Sequence, residues 1–497
     1  MASYTSKAIK GAAIFFIISL FAGFLGYLVR LVFARYLTRA DYGLFYAVFT
    51  FFAVLSVLRD LGFSQAMVKY IAEFNVRKRY DLIKGSILIT FLSQLAISII
   101  LVIPVLIFSK QISIYFFHSE AANNVLLFLA IMFILMPIER MFTFAYGGFQ
   151  RFDYNSLVEL VRMSFVLAIS FFAFMYMGSV LVPCLAYVVA HIIENAILFP
   201  LFLRTFPQFF KVKAVLSTGL FKKMFSFGVP VMIGLFGSLI LTYTDTMAIT
   251  YFRTLEEVAL YQIAMPTSKL ILYFTTAICT VILPMSSELW ARKLKDKISL
   301  GINLLYKYSF MAILPLVLLM LSFPEVIIKL FFGQRYVAAA VALQIMSLAA
   351  LAYTFCYING NVLSGIGKPK ENMKITLIAA VFNLIADIIL VNIIGINGAA
   401  IATLAGYCII LVLTGIEIKK ALDVKIPLFV WFKNIVAGVV FIGLTYYLKY
   451  SITRFTDLVE MIIVGCIGFA LYALLLFMLK VIDIKEIVSI AKYALRK

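Results

Sequence analysis

Fourteen apolar runs, each long enough to cross a bilayer, divide almost the whole chain between them. They fall at roughly 11–34, 43–67, 85–108, 122–146, 157–178, 180–203, 226–250, 258–284, 303–327, 338–363, 373–394, 397–418, 431–450 and 458–479. Crossing the hydrocarbon core takes about 20 apolar residues as a helix. Backbone N–H and C=O groups in lipid have no water to bond, so a span of this length must satisfy them within itself. A transmembrane strand would alternate apolar and polar residues over segments of about ten, and these runs do not. The chain reads as an all-α integral membrane protein of about 14 transmembrane helices.

Composition agrees. Charged residues make up 13% and hydrophobic ones 64% of the chain, against about 25% and 45–50% in soluble domains. So few charges cannot cover a water-facing surface, whereas an outer face in lipid needs none. The net charge of +20 does not imply nucleic acid, because no soluble domain is available to carry a basic face. It follows from topology instead. Lys and Arg crowd into alternate connections, such as Lys69–Lys84, Arg204–Lys223 and Arg292–Lys307, while the intervening ones hold isolated cations such as Arg35, Lys110 and Arg253. Cytoplasmic loops collect the cations of membrane proteins, which places both termini inside and the protein in the cytoplasmic membrane. The first run lacks a short cleavable leader pattern and reads as a retained span.

Several functions are disfavoured. The five cysteines stand singly in apolar runs and His118 and His191 lie far apart, which suits neither a disulfide framework nor a zinc site; no metal or other cofactor is expected. The external connections are too short for the catalytic domain of a glycan polymerase or ligase. No nucleotide-binding loop occurs, since Gly367-Lys368 is followed by Pro369.

Sliding the chain against itself by about 216 residues brings out a duplication. Leu37–Phe45 falls on Arg253–Tyr261, and Ile112–Phe117 on Ile328–Gly333. The shift carries the first span onto the seventh, so the copies point the same way, as a parallel repeat about the membrane normal. The expected architecture is two six-helix bundles, 1–204 and 226–420, joined by an amphipathic cytoplasmic linker at 205–225, with two extra helices and a basic tail at 421–497. Both the linker and the tail at 481–497 are expected to lie on the anionic inner leaflet.

With these residues in view, the chain resembles the multidrug/oligosaccharidyl-lipid/polysaccharide (MOP) exporter superfamily, and within it the polysaccharide and oligosaccharide flippases, such as those for O-antigen and lipid II. The likeness is carried by Ala34–Gly43 after the first span, Arg59–Ala66, Asp245, Glu257–Ala264, Phe332–Tyr336, Gly365–Pro369 and Gly395–Ala400. It implies a two-bundle transporter that moves a lipid-linked oligosaccharide across the membrane by alternating access. The partners it implies are that lipid-linked substrate, membrane lipids, H+ or Na+ as a coupling ion, and other glycan-assembly proteins. An ion-coupled multidrug or small-solute antiporter of the same superfamily is the alternative.

Ionisable groups inside spans cost at least about 2.5–3.5 kcal/mol each, so each is a functional candidate. Arg30, near the outer end of the first span, suits either snorkelling to the interface or a cavity, and the resemblance favours the cavity. Arg59 also matches a family arginine, while its neighbour Asp60 points about 100° away and is expected to hold another helix. Lys269 falls mid-span with no acid within a turn, which suits either pairing with an acid from another helix or a wet cavity; the resemblance, which places a basic residue in that helix, favours the cavity. Arg30, Arg59 and Lys269 are therefore the expected substrate cations, since guanidinium and ammonium groups bind a desolvated phosphate or diphosphate strongly. Asp245 lies one residue from the repeat mate of Arg30 and is a candidate outer-gate partner for it. Glu139, Arg140, Glu159 and Arg162 read as a structural ion-pair cluster. His191 and Glu194, three apart on one face, suit a proton site or a satisfied buried pair. Asp387 with Asn383 suits an ion site or, preferably, a polar helix contact.

Overall fold

The computed structural model describes residues 2–424, 426–451 and 457–481. Among them there is no strand: the chain is helices joined by short turns. In order these are α1 Ala2–Tyr36, α2 Arg39–Asp60, α3 Phe63–Val76, α4 Tyr80–Ile107, α5 Ser109–Tyr115, α6 Ala122–Gly148, α7 Phe152–Phe174, α8 Leu181–Thr205 and α9 Thr218–Phe252. They continue with α10 Leu255–Lys269, α11 Leu272–Ala291, α12 Lys295–Ser322, α13 Pro324–Phe332, α14 Ala340–Gly365, α15 Pro369–Ile394, α16 Ile396–Ala421, α17 Leu428–Ser451 and α18 Asp457–Met478. Thirteen helices among the described residues are long and apolar enough to cross a membrane.

The duplication is visible in the helix bounds. α1 and α9 are both 35 residues long and begin at 2 and 218; α4 and α12 are both 28 residues long and begin at 80 and 295. The short α5 returns as the short α13, and α2, α6, α7 and α8 return as α10, α14, α15 and α16 at nearly the same offset. α17 and α18 have no counterpart.

The span expected at 258–284 is interrupted. α10 stops at Lys269 and α11 starts at Leu272, with the N–H groups of Leu270, Ile271 and Tyr273 bonded three residues back. Local chemistry explains the break. Pro266 has no N–H to continue the helix, and the Thr267 and Ser268 hydroxyls donate to the carbonyls of Ile263 and Met265, competing with the backbone ladder. A similar break separates α2 from α3 at Leu61 and Gly62, which have φ of 42° and 76°. Glycine is required at 62: a Cβ there would stand 2.0 Å from the Gly228 carbonyl oxygen, so α3 and α9 cross backbone to backbone.

Two compact units form. One comprises residues 1–262 and 380–399, the other residues 263–379 and 400–497. The first has its apolar core among α3, α4, α6, α8 and the start of α9, around Phe63, Tyr70, Phe74, Phe142, Tyr146 and Phe202. In the second, α12, α14 and α17 close around Tyr306, Phe310 and Phe355, with Trp431 stacked on Phe310 at 5.1 Å. Helix starts are fixed by capping: Thr38 accepts from the Asp41 N–H and Ser217 from the Leu220 N–H. α4 and α7 each start with an Arg-x-Asp fork, Arg79 on Asp81 and Arg151 on Asp153, with both bonds of each at 3.0 and 2.8 Å. In the 205–225 segment, residues 206–217 are turns and irregular chain and α9 starts at Thr218; Lys84 holds the irregular part by donating to the Val212 carbonyl at 2.9 Å. The expected surface segment at 481–497 lies outside the described residues beyond Val481.

Candidate functional site

Within the first unit, α2, α3, α4, α6 and α9 enclose a cavity of about 330 Å³. Arg59, Asp60, Gln94, Arg140, Thr242 and Tyr243 supply its polar wall, and Phe144, Leu235 and Leu239 part of its apolar one.

Arg59 is 2% exposed, and a guanidinium so deep in an apolar span needs compensation. It lies over the Phe133 ring at 4.7 Å, and its Nη1 donates to the Phe133 carbonyl at 3.1 Å. That carbonyl is available because Pro137, four residues on within α6, has no N–H to give it. A neighbouring side chain satisfying a group freed by proline is how lipid-embedded helices tolerate proline.

Asp60 points the other way, as the helical rotation requires. Its Oδ1 accepts from the Ser64 N–H at 3.2 Å, the Ser64 hydroxyl at 2.5 Å and Gln94 Nε2 at 2.5 Å. Gly62 at the start of α3 has no side chain to cap the helix, so Asp60 caps it from across the break and ties it to α4. Arg140 completes the cavity wall, its Nε 3.7 Å from Glu139. Two guanidiniums, hydroxyls and an amide, with the Asp60 carboxylate beside them, give the recess donors that can meet anionic oxygens.

Arg30 stands elsewhere in the same unit. It is half-buried, with its guanidinium 4.3 Å over the Tyr46 ring, and it donates to both the backbone carbonyl and the side-chain oxygen of Gln262 at 3.2 and 3.3 Å. The proline rule applies again: Pro266 follows Gln262 by four residues and leaves that carbonyl open. Gln262 in turn donates to Thr246, the repeat mate of Arg30. Asp245 accepts from the Tyr261 hydroxyl. On the same helix, the Thr244 hydroxyl reaches Asn383 at 3.2 Å and Asp387 at 3.1 Å, both fully buried on α15. Lys269 belongs to the second unit and ends α10, where a cation complements the helix dipole; its side chain is half-buried.

The ion-pair cluster and the histidine pair are one assembly. Arg162 of α7 bonds Glu159 and stands 3.8 Å from Glu139 and 3.9 Å from Glu194, and His191 Nδ1 is 3.2 Å from Glu194. Sequence spacing alone kept the two groups apart. It also passed over Gln94, Tyr243 and Gln262. Gln94 carried a signal, as a lone amide mid-way along an apolar run. Among the described residues no group of three His, Cys, Asp or Glu side chains is placed to hold a metal ion.

The profile of a family described as "Polysaccharide biosynthesis protein" matches residues 8–290, and that of the MatE family residues 230–389. An uncharacterized membrane protein of Methanocaldococcus jannaschii, MJ1068, is 34% identical over the full length of both chains. The probable low-salt glycan biosynthesis flippase Agl15 of Haloferax volcanii is 21% identical over 82% of this chain and 83% of its own. The lipid II flippase MurJ, in an inward closed conformation, superposes with a TM-score of 0.76 at 18% identity, covering 93% of this chain and 98% of its own. That last likeness carries the fold.

Proposed function

Because the chain belongs to the polysaccharide biosynthesis protein family of the MOP exporter superfamily, a family of flippases and transporters, we propose that it carries a lipid-linked oligosaccharide across the cytoplasmic membrane, by alternating access, for cell-surface glycan assembly. Both termini lie on the cytoplasmic side in this reading, and the substrate is a glycan on a prenyl phosphate or diphosphate.

The observation that carries the proposal is the cavity wall with Arg59 and Arg140. Whatever its sugars carry, a prenyl-linked glycan has one obligatory charge, the phosphate between sugar and lipid. That anion must leave water to cross, and guanidiniums in a recess exchange its hydration for fixed, bidentate donors. A volume of about 330 Å³ is at the small end for ligand sites, enough for the phosphate-bearing linkage. Tyr243, Thr242 and Gln94 offer hydroxyl and amide partners to the adjoining sugar. The Agl15 relationship supports a glycan substrate over a drug. The MatE match would suit a multidrug antiporter, but two guanidiniums in the wall repel the cations such a site would serve.

The test is reconstitution into liposomes with a prenyl diphosphate-linked glycan supplied in both leaflets. A membrane-impermeant reagent that consumes outward-facing sugar should proceed from about half of the lipid to nearly all of it when the protein is present. Consumption that stops at half, with the protein folded and inserted, would remove the proposal.

A further inference from the structure

Adjoining the cavity, and sharing Arg140 with its wall, α6, α7 and α8 carry a second set of charges. Glu194 of α8 is fully enclosed, and neither of its carboxylate oxygens accepts a hydrogen bond. Its nearest polar neighbours are His191 Nδ1 at 3.2 Å and Arg162 Nη1 at 3.9 Å. The same Arg162 nitrogen is 3.8 Å from Glu139, and its other terminal nitrogen bonds Glu159. One guanidinium thus serves three carboxylates from three helices.

The charges do not balance. α6 contributes Glu139 and Arg140, α7 contributes Glu159 and Arg162, and α8 contributes Glu194 and His191; Arg59 and Asp60 of α2 stand in the next layer. Setting aside Arg140 and Glu159, whose side chains are 39% and 47% exposed, and with the imidazole neutral, the guanidiniums of Arg59 and Arg162 face the three carboxylates of Asp60, Glu139 and Glu194. A low-dielectric site does not hold an excess charge when a proton is available to cancel it. Asp60 has three donors, Glu139 accepts from Thr143 at 3.0 Å, and Glu159 has Arg162. Glu194 alone has no donor, so the proton belongs with it and His191.

The geometry points to a proton site: we propose that the His191–Glu194 pair holds one exchangeable proton, and that anion binding in the Arg59–Arg140 cavity raises the pair's affinity for it. The link is Arg140, which lines the cavity and also stands 3.7 Å from Glu139. An anion that engages Arg140 leaves Glu139 short of positive charge. Arg162, almost equidistant from Glu139 and Glu194, moves toward Glu139. Glu194 then loses the one guanidinium within 4 Å of it and holds the proton shared with His191 more tightly, so that above the pH at which the ligand-free pair releases that proton, one is taken up from bulk water. Proton and anion bind together and leave together, which couples headgroup movement to pH. The proton site stands on the buried cluster by itself; the coupling rests on the cavity being the headgroup site.

Two measurements on the full chain in detergent test the two parts. In a ligand-free potentiometric titration between about pH 5 and 9, the wild type should exchange about one proton more than Glu194→Gln. His191→Gln should displace that step along the pH axis, and Asp153→Asn, in the exposed fork that starts α7, should leave it in place. Superimposable wild-type and Glu194→Gln curves from folded protein, or an unmoved step in His191→Gln, would overturn the proton site. In the second measurement a short-chain prenyl diphosphate is added in weak buffer at a pH just above the ligand-free step, and uptake approaching one proton per ligand bound is expected, lost in Glu194→Gln. Binding without uptake overturns the coupling. No binding at any pH overturns the reading of the cavity and the coupling with it, while the titration still decides the proton site.

Discussion

Arg59 has two jobs in this structure, and a compensating substitution separates them. Its Nη1 satisfies the carbonyl that Pro137 leaves open on Phe133, and the residue also lines the cavity. A hydrogen bond from a charged donor contributes about 1.5–3 kcal/mol, and the cation–π contact at 4.7 Å adds roughly 0.5–2 kcal/mol. Removing a buried charge gives part of this back, so Arg59→Met should cost about 2–3 kcal/mol, a fall of roughly 5 °C in Tm. Pro137→Ala restores an N–H at the position where α6 needs one, and the Phe133 carbonyl no longer requires a side chain. The double variant Arg59→Met/Pro137→Ala should therefore recover at least half of the lost stability and none of the lost transport. Unfolding can be followed with a thiol-reactive fluorophore, because Cys184, Cys279 and Cys356 are buried and react when the helices part. A double variant that melts no higher than Arg59→Met would refute the proline argument. One that also regained transport would show that the guanidinium is not needed in the cavity.

Other positions yield simpler expectations. Gly62→Ala puts a Cβ 2.0 Å from the Gly228 carbonyl oxygen at a residue with φ of 76°; the clash and the left-handed backbone together should cost more than about 2 kcal/mol, seen as lower Tm and poor recovery from the membrane. Gln94→Leu removes one donor from the buried Asp60 carboxylate and should cost about 1–3 kcal/mol, read as a lower Tm and slower transport; an unchanged Tm would mean that this bond is not formed. Arg162→Leu strands two buried carboxylates and should cost about 3–5 kcal/mol. Adding Glu194→Gln to it should return part of that loss, and a strictly additive double variant would show that the two side chains do not interact.

Most of the span layout was readable in the sequence, because lipid enforces one rule on every helix and hydropathy reports it directly. The duplication was readable for a related reason: repeated loops fix repeated helix starts, as at Tyr80 and Lys295. The interruption at Lys269 was not, since the run 258–284 stays apolar through it and the break comes from Pro266 with the hydroxyls of Thr267 and Ser268. The buried charges were legible as two groups, the cluster of Glu139, Arg140, Glu159 and Arg162 and the pair His191–Glu194, but not as one assembly. Arg162 joins Glu139 to Glu194 only because α6, α7 and α8 pack side by side, a tertiary fact without a sequence period. The arginines show the same limit. A proline in mid-span announces an open carbonyl four residues earlier, so Phe133 and Gln262 were identifiable. That Arg59 and Arg30 reach them, across 74 and 232 residues of chain, was not.

The central claim is that guanidiniums in the Arg59–Arg140 cavity carry an anionic lipid headgroup through the bilayer. Its most direct test compares the initial rate of glycan-lipid translocation in liposomes for wild type, Arg59→Met/Pro137→Ala and Arg140→Gln, each at matched insertion and matched melting behaviour. The account predicts rapid exposure of the inner-leaflet glycan by the wild type and a loss of tenfold or more, about 1.4 kcal/mol or above in barrier terms, in both variants. Wild-type rates in both, from stable protein, would contradict it.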